Sequence, residues 1–255
     1  MDNSMTEYEE NILLKFIDPK EVGDKKEIEL FFRFLNIGYN KKLDKDLLLK
    51  IIKNWKTSIK HFLFDLDFGP IDRVLRLIRK DTVLRILEEN GNLSQQIILD
   101  IGCGRQAHLA WKLTKKITSY IGIDKSIPEI NYKNITLIQS KGEELDKHIK
   151  ERTCTAITAL AVIEHVDTPE DLIQKCYNAL QENGVLIVTT PPPVAEPLLK
   201  LVSKIGLINK SEIDEHKNYF DKQRLVGLFE GAGFSNTRYT KFLFGGNSVC
   251  TGKRL

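Results

Sequence analysis

The chain has 255 residues, 42% hydrophobic and 29% charged, with a net charge of +3; this is enough apolar sequence for a full core and too little charge to indicate a nucleic-acid partner. No apolar run approaches the roughly 18 residues that a membrane span needs, and the acidic first ten residues lack the apolar stretch of a secretory signal. The four cysteines form no CxxC pair, so neither a zinc ribbon nor a disulfide framework is indicated, and a reducing, cytoplasmic location fits best.

The chain up to about residue 95 has a helical pattern with no convincing strand. Apolar residues recur at spacings of three and four between Leu47 and Ile59. A second helix is predicted from Pro70 to Glu89, since proline suits a first helical turn. Its predicted core-facing residues are Ile71, Val74, Leu75, Ile78, Leu84 and Leu87. We therefore assign residues 1–92 to a helical N-terminal extension that caps the substrate.

From residue 96 onward, short apolar strands alternate with helices. Helices are predicted from about Ala107 and from Pro169 to Leu180, and strands at 96–100, 120–124, 135–138, 155–160 and 184–190. Two more strand-like runs, 235–242 and 248–251, are separated by a glycine-rich turn and indicate a terminal hairpin. Buried strands separated by helices predict a doubly wound α/β fold for residues 93–255.

The densest chemistry follows the first strand, where Asp100 precedes Gly102, Cys103 and Gly104. Glycines let the backbone approach a ligand closely, and the N-terminus of the following helix offers free N–H groups to an anion. With Ala107 the motif reads GxGxxA, and Asp124 lies 20 residues beyond Gly104, where an acid can bind ribose hydroxyls. This pattern alone permits a nicotinamide dinucleotide, and hence an oxidoreductase.

Asp100 favours a different nucleotide ligand. A carboxylate in this place would face the pyrophosphate of a dinucleotide, at a cost of about 1 kcal/mol or more for each close pair of like charges. A ligand that carries an ammonium and a sulfonium would instead be attracted, and S-adenosylmethionine has this charge pattern. The alternative is that Asp100 only caps the turn.

Several motifs, in order along the chain, resemble those of class I S-adenosylmethionine-dependent methyltransferases. They are LDIGCG at 99–104, GID at 122–124, VIEHV at 162–166, NGVLIVTTP at 183–191 and the segment from His216 to Phe234. The most similar branch acts on small molecules and includes the ubiquinone and menaquinone biosynthesis enzymes. The resemblance covers about residues 96–255 and implies a Rossmann-like sheet of seven mostly parallel strands, the last one antiparallel.

The resemblance also implies a cofactor site. In this family Asp100, Gly102 and Gly104 would surround the methionine part of the cofactor, with Cys103 between them, and Asp124 would bind the ribose beside Lys125. Leu160 and Ala161 would flank the methyl donor. The family commonly has an acidic residue before a small one at the adenine, where this chain has Lys141-Gly142, so backbone of Gly142 or Glu143 would contact the base. Thr155 stands where an aspartate often opens the fourth strand.

We expect no metal ion. Metal-dependent quinone O-methyltransferases place a glutamate three residues before a Glu-His pair, and that position is Ala161 here. Glu164 and His165 alone offer too few ligands for a hard divalent cation. We interpret the pair as a helix-entry and packing feature.

A hydroxyl acceptor would gain from a general base, for which histidine is the usual choice. Among five histidines, His216 is the candidate for a base or a substrate anchor, because it lies between the fifth strand and the last helix, where this topology brings chain over the cofactor crevice. Asp214 or Glu215 would raise its basicity. The alternative is a structural histidine that binds loop backbone.

Two basic or amphipathic segments bear on the acceptor. Residues 191–215 are an insertion with a basic amphipathic stretch, which would form a lid on its own domain or contact a membrane surface or an apolar acceptor. A basic row that includes Arg79 would hold a phosphate or sulfate group, or form an ordinary solvated face.

These features together predict methyl transfer from S-adenosylmethionine to a hydroxyl, less readily a nitrogen, of a small-molecule, glycan or lipid-linked acceptor. The alternatives are a nucleic-acid methyltransferase, an oxidoreductase of the nicotinamide type, and a non-catalytic cofactor-binding or partner module. The departures at Lys141 and Thr155 keep the last alternative open.

Overall fold

The computed structural model describes residues 70–104, 107–113, 115–127, 129–197 and 217–255. The helices of these ranges are α1 (Pro70–Glu89), α2 (His108–Leu113), α3 (Pro169–Ala179) and α4 (Lys222–Gly231). The strands are β1 (Ile97–Ile101), β2 (Ser119–Asp124), β3 (Ile130–Tyr132), β4 (Ile135–Gln139), β5 (Cys154–Leu160), β6 (Leu180–Thr190), β7 (Ser235–Phe242) and β8 (Asn247–Lys253). Short 3-10 helices cover Leu93–Gln95, Gly142–Lys147, Ile163–His165, Pro193–Ala195 and Leu243–Gly245.

The strands form one sheet in the order β3-β4-β2-β1-β5-β6-β8-β7. The five strands from β4 to β6 in this order are parallel, and β8 runs antiparallel to both of its neighbours. The doubly wound α/β fold and the antiparallel terminal hairpin are therefore confirmed.

The predicted count of seven strands is wrong, since the described sheet has eight. The additional strand is β3, which pairs antiparallel with β4 and places Tyr132 opposite Ile135. The connection between them is a two-residue turn in which Lys133 adopts a left-handed φ of 48°, the conformation that tight hairpin turns need. A strand of three residues is too short to show a hydrophobic period in the sequence.

The core lies on both faces of the sheet, as parallel strands require. On one face Leu99 and Ile101 pack with residues of α3 and α4, including Phe229. On the other face Ile98 packs with residues of α1 and α2, including Leu87. Neighbouring residues of β1 thus point to opposite faces, which explains why its sequence is continuously apolar apart from Asp100.

Helix α1 confirms the predicted bounds, and two of its predicted core-facing residues, Leu84 and Leu87, pack in the core. The side chains of Ile71, Val74 and Leu75 lie outside the described part of the structure. Val83 and Leu87 are fully buried, Leu84 is partly buried, and Ile78 is 37% exposed. The predicted burial of Ile78 is wrong because, at about 100° per residue, Ile78 lies about 140–180° round the helix from Val83 and Leu87. No helix in the described ranges is long and apolar enough to cross a membrane.

The sheet positions the site, because β4, β2, β1 and β5 are neighbours and their carboxyl ends lie at one edge. In open α/β sheets ligands bind outside this edge. The predicted cofactor residues all lie in or directly after these four strands. Residues 1–69, His216 and the part of the insertion from 198 onward lie outside the described residues.

Candidate functional site

The turn after β1 is built on two glycines with left-handed backbone, Gly102 with a φ of 65° and Gly104 with a φ of 73°. The amides of Gly102 and Cys103 donate to the carbonyl of Ile123 in β2, at 2.8 and 3.3 Å. A Cβ atom on Gly102 would collide with Cγ2 of Val162, which follows β5. The turn is therefore fixed between β2 and the segment after β5, in a conformation that only glycine tolerates well.

Asp124, the last residue of β2, is bound directly to this turn. Its Oδ2 atom accepts a hydrogen bond from the Gly104 amide at 2.9 Å. Its Oδ1 atom accepts from the amide and the hydroxyl of Ser126, at 2.8 and 2.6 Å. A Cβ atom on Gly104 would meet no atom of the described residues within 4 Å, so this part of the chain leaves space beside the turn and the carboxylate. This arrangement fits the ribose and methionine parts of S-adenosylmethionine.

Asp100 is buried behind the turn, with 3% of its surface exposed. The Tyr120 hydroxyl donates to its Oδ2 atom at 2.5 Å, and the Thr158 hydroxyl donates to its Oδ1 atom at 2.6 Å. Burial raises the pKa of Asp100 to about 6, although both hydrogen bonds lower it and the charge of Asp124 adds a small further increase. These bonds come from the flanking strands and not from the turn, so they do not support the turn-capping alternative.

Tyr120 and Thr158, which were not predicted from the sequence, are the hydrogen-bond partners of the predicted site residue Asp100. On β5 the register partner of Asp100 is Thr158. On β2 its register partner is Gly122, and Tyr120 lies two residues before Gly122. Side chains two residues apart on a strand share a face, so all three polar groups face the same side of the sheet. Polar residues at such positions in otherwise apolar strands were the available signal.

The adenine side of the predicted site is the 3-10 helix that follows β4 and begins at Gly142. A Cβ atom on Gly142 would lie 2.5 Å from Cγ2 of Ile101, so this turn packs closely on the end of β1. The carbonyl of Glu143 accepts a hydrogen bond from Lys175 Nζ of α3 at 2.6 Å. Lys175 also forms ion pairs with Asp171 and Asp146, at 2.9 and 3.2 Å. Helix α3 therefore holds the predicted adenine-binding backbone.

The predicted methyl-donor side is the end of β5 at Leu160, followed by Ala161. Ala161 has a left-handed φ of 56°, and its amide donates to the Thr189 carbonyl of β6 at 2.9 Å. This sharp bend turns the chain at the carboxyl edge. Of the other predicted residues, Lys125 is exposed directly after β2. Burial raises the pKa of the Cys103 thiol, so it stays protonated.

Thr155, which stands in place of a common aspartate, has a structural use. Its hydroxyl accepts a hydrogen bond from the Ile97 amide at 2.9 Å and donates one to the Ile97 carbonyl at 3.2 Å. A hydroxyl can do both, whereas an ionised carboxylate can only accept. The side chain thus joins β5 to β1 at the start of both strands.

Glu164 lies in the 3-10 helix after β5 and is 1% exposed. Its carbonyl accepts hydrogen bonds from the amides of Lys217 and Asn218, at 2.8 and 3.1 Å. Glu164 is thus buried in the first turn of this short helix, which is in line with the helix-entry and packing role we predicted, although α3 itself begins only at Pro169. Within the described ranges, no group of three or more His, Cys, Asp or Glu side chains could hold a metal ion.

Comparison with known proteins identifies the family. The family model described as a methyltransferase domain matches residues 71–239. A mitochondrial ubiquinone biosynthesis O-methyltransferase from Bos taurus is 34% identical over 127 residues, which are 44% of this chain and 34% of that protein. The ubiquinone biosynthesis O-methyltransferase of Glaesserella parasuis is 29% identical over 148 residues, 53% of this chain and 61% of that protein. The chain thus spans only part of the length of these curated relatives.

Among solved structures, magnesium protoporphyrin IX methyltransferase from Synechocystis, crystallised with bound S-adenosylhomocysteine, superposes with a TM-score of 0.53. The superposition covers 72% of this chain and 85% of that one at 17% sequence identity, so it shows a shared fold. The family match extends over more than half of the chain and agrees with the motifs around the glycine turn. The chain therefore belongs to the methyltransferase domain family, in the class of S-adenosylmethionine-dependent methyltransferases that its motifs predicted.

Proposed function

We propose that this protein transfers a methyl group from S-adenosylmethionine to a hydroxyl oxygen of a small-molecule, glycan or lipid-linked acceptor. The observation that carries the proposal is the glycine turn, where the Gly104 amide binds Asp124 beside open space and the buried Asp100 lies behind. The name of the curated relatives, O-methyltransferase, supports oxygen as the accepting atom.

The residues of this chain would bind and orient the cofactor. Asp124 would accept hydrogen bonds from the ribose hydroxyls with the lone pairs that Gly104 and Ser126 leave unused. The ionised form of Asp100 would attract the ammonium and the sulfonium. Gly102 and Gly104 would allow the backbone to approach the methionine part closely.

The remaining predicted contacts follow from the same edge of the sheet. Backbone of Gly142 and Glu143 would meet the adenine, and Leu160 and Ala161 would flank the methyl group. When bound, the cofactor supplies an electrophilic methyl on a good leaving group. The protein would then contribute mainly by holding the acceptor in line, which is worth roughly 7–11 kcal/mol in well-aligned systems.

We keep His216 as the proposed base or substrate anchor. In support, the next residue, Lys217, donates its amide to the Glu164 carbonyl beside the end of β5. We further propose that residues 1–92 cap the acceptor and that the insertion 191–215 covers it, or contacts a membrane surface. The four cysteines are unpaired thiols, which supports our proposal of a reducing, cytoplasmic location.

The first test is calorimetric titration with S-adenosylhomocysteine, with NADH as the parallel ligand. We expect S-adenosylhomocysteine to bind and Asp124→Ala to weaken it by roughly ten- to a hundredfold, because hydrogen bonds to a charged group contribute about 1.5–3 kcal/mol. Asp124→Asn keeps one acceptor oxygen for Gly104 and should show an intermediate loss. Glu129→Gln, at an exposed carboxyl before β3, is the control.

The outcomes separate the candidate functions. Binding of NADH in place of S-adenosylhomocysteine would indicate an oxidoreductase, and binding of neither ligand would indicate a partner module. Once binding is established, formation of S-adenosylhomocysteine from S-adenosylmethionine is followed with phenols, sugars and polyprenyl phenols as acceptors. His216→Ala should then lower turnover and leave cofactor affinity unchanged, and unchanged turnover would remove His216 from the mechanism.

A further inference from the structure

Three buried polar side chains near the end of β5 have no hydrogen-bond partner within the described part of the chain, namely Glu164, Thr189 and Thr190. Both carboxylate oxygens of Glu164 are buried and unbonded, and so is the hydroxyl of Thr190, the last residue of β6. Folded proteins hydrogen-bond nearly all such groups, and an unsatisfied buried carboxylate is among the most costly. Their combination indicates a place where a bound molecule supplies the missing donor.

The position of Glu164 connects it to the proposed cofactor site. It follows β5 by four residues, and Val162, two residues earlier, packs against Gly102 of the glycine turn. Thr190 ends the neighbouring parallel strand. Both groups therefore lie beyond the carboxyl ends of adjacent strands, in the part of the fold where ligands bind, and on the side of the methyl donor.

The surroundings of Glu164 raise its affinity for a proton. Burial raises its pKa, while its own backbone amide, the charges of His165 and Arg79 and the nearby Thr190 hydroxyl lower it by smaller amounts, although none of these groups has hydrogen-bond geometry to the carboxylate. The segment on its other side contributes backbone, through the amides of Lys217 and Asn218. The ammonium of Lys217 is bound to Asp167 at 2.7 Å. A carboxylate in such a place is a stronger base than one in water.

Building on the proposed function, we propose that Glu164, assisted by the Thr190 hydroxyl, binds the acceptor hydroxyl and takes its proton during methyl transfer. The acceptor oxygen forms a bond to the methyl carbon, and the bond from this carbon to sulfur breaks with its electron pair remaining on sulfur. The hydroxyl proton passes to an Oε atom of Glu164, which becomes the neutral acid that burial favours. His216 then keeps the anchoring role.

The test uses catechol as a small phenolic probe and Glu164→Gln as the variant, since this change removes the charge and keeps the shape. Cofactor affinity is measured by calorimetry with S-adenosylhomocysteine, and catechol affinity is measured on the resulting complex. Methyl transfer to catechol is followed across pH. The infrared carbonyl band of protonated carboxyls, taken as the difference between wild type and Glu164→Gln so that the contribution of Asp100 cancels, reports the charge of Glu164 and needs no turnover. Glu170→Gln, an exposed glutamate at the start of α3, is the matched control.

We expect Glu164→Gln to bind S-adenosylhomocysteine within about twofold of wild type and to lose roughly a hundredfold or more in turnover, the range in which general bases contribute. Its turnover should also lose the rise with pH that deprotonation of Glu164 causes in the wild type. Thr190→Val should weaken catechol binding with a smaller loss of turnover, and Glu164→Asp should restore part of the rate. The infrared difference band between wild type and Glu164→Gln should be present at low pH and fade as pH rises.

Four results would overturn the proposal. The first three are Glu164→Gln turnover within about threefold of wild type, an infrared band unaffected by this variant, and no binding of catechol to the wild-type complex. Loss of S-adenosylhomocysteine binding in Glu164→Gln alone would show a structural role and would overturn it too. Failure of the wild type to bind S-adenosylhomocysteine would instead contradict the proposed function.

Discussion

The replacement Asp100→Asn tests whether the buried charge of the Asp100 carboxylate lowers the stability of the folded protein. Asp100 is 3% exposed and accepts hydrogen bonds from Tyr120 and Thr158. An asparagine of the same shape keeps one acceptor oxygen, and its amide can donate to the other hydroxyl after that hydroxyl rotates. The substitution therefore removes the charge with little change in packing.

The magnitude follows from the pKa of Asp100, which is 3.8 for an unperturbed aspartate and about 6 in the folded protein. Because the folded state binds the proton more tightly, the stability from this group is complete below pH 3.8 and is lost as pH rises through 6. A shift of this size corresponds to about 3 kcal/mol in total, of which about 1.4 kcal/mol is lost between about pH 5 and pH 7.5. The asparagine of the variant does not titrate, so the stability of Asp100→Asn relative to the wild type should increase by this amount over the same pH interval.

The assay is urea unfolding of the apo protein at these two pH values, for the wild type, Asp100→Asn and the exposed control Glu129→Gln. The difference in unfolding free energy between Asp100→Asn and wild type should increase by about 1.4 kcal/mol from the lower to the higher pH. The control should follow the wild type. A difference that stays constant with pH would refute the reasoning, since it would mean that burial does not raise the pKa of Asp100.

Three further predictions concern the cofactor site. Gly104→Ala should destabilise the protein by only about 1–2 kcal/mol, the cost of a left-handed φ, yet weaken the binding of S-adenosylhomocysteine at least tenfold. Gly102→Ala should destabilise the protein more, because its new methyl group also meets Val162. Urea unfolding measures the stability and calorimetry the binding, and equal destabilisation by the two variants would contradict the assigned packing. Lys175→Met should weaken S-adenosylhomocysteine severalfold by releasing the Glu143 carbonyl, with Lys175→Arg closer to wild type, and unchanged calorimetric affinity would contradict the role of this contact. The affinity for S-adenosylhomocysteine should fall by up to about tenfold per pH unit below the Asp100 pKa of about 6, because the protonated carboxyl no longer attracts the ammonium. The same fall in Asp100→Asn would mean that another group causes the pH dependence.

Much of the fold could be predicted because buried parallel strands have a simple sequence pattern. Strand β1 was expected at 96–100 and lies at Ile97–Ile101, and the terminal hairpin was expected with β7 at its observed bounds. Strand β3 was missed because its pairing depends on a two-residue turn at Lys133 and not on a hydrophobic period. The exposure of Ile78 was missed because Ile78 and Leu87 lie on opposite sides of α1 at about 100° per residue, and the apolar residues alone do not say which side contacts the sheet.

The candidate site was predictable in its positions and not in its contacts. The spacing of Gly104 and Asp124 indicated a shared ligand, and the structure adds that the two residues bind one another. The partners of Asp100 depend on strand register, which places Thr158 opposite it on β5. Register cannot be read from a single strand, because each strand is compatible with several pairings until its neighbours are fixed.

Asp100 and Glu164 are the only buried carboxyl side chains in the described ranges. Both lie at the carboxyl edge, near the ends of β1 and β5, and burial raises the pKa of each. No described hydrogen bond joins either one to a cationic side chain, so in the absence of ligand each ionised group lowers the stability of the fold. A cationic ligand reverses the sign of this contribution, because a carboxylate removed from water interacts more strongly with a nearby positive charge. The buried carboxylates that destabilise the apo protein therefore stabilise the complex with a cationic ligand. S-adenosylmethionine carries a sulfonium and should stabilise the protein more than S-adenosylhomocysteine does, most clearly above the Asp100 pKa of about 6.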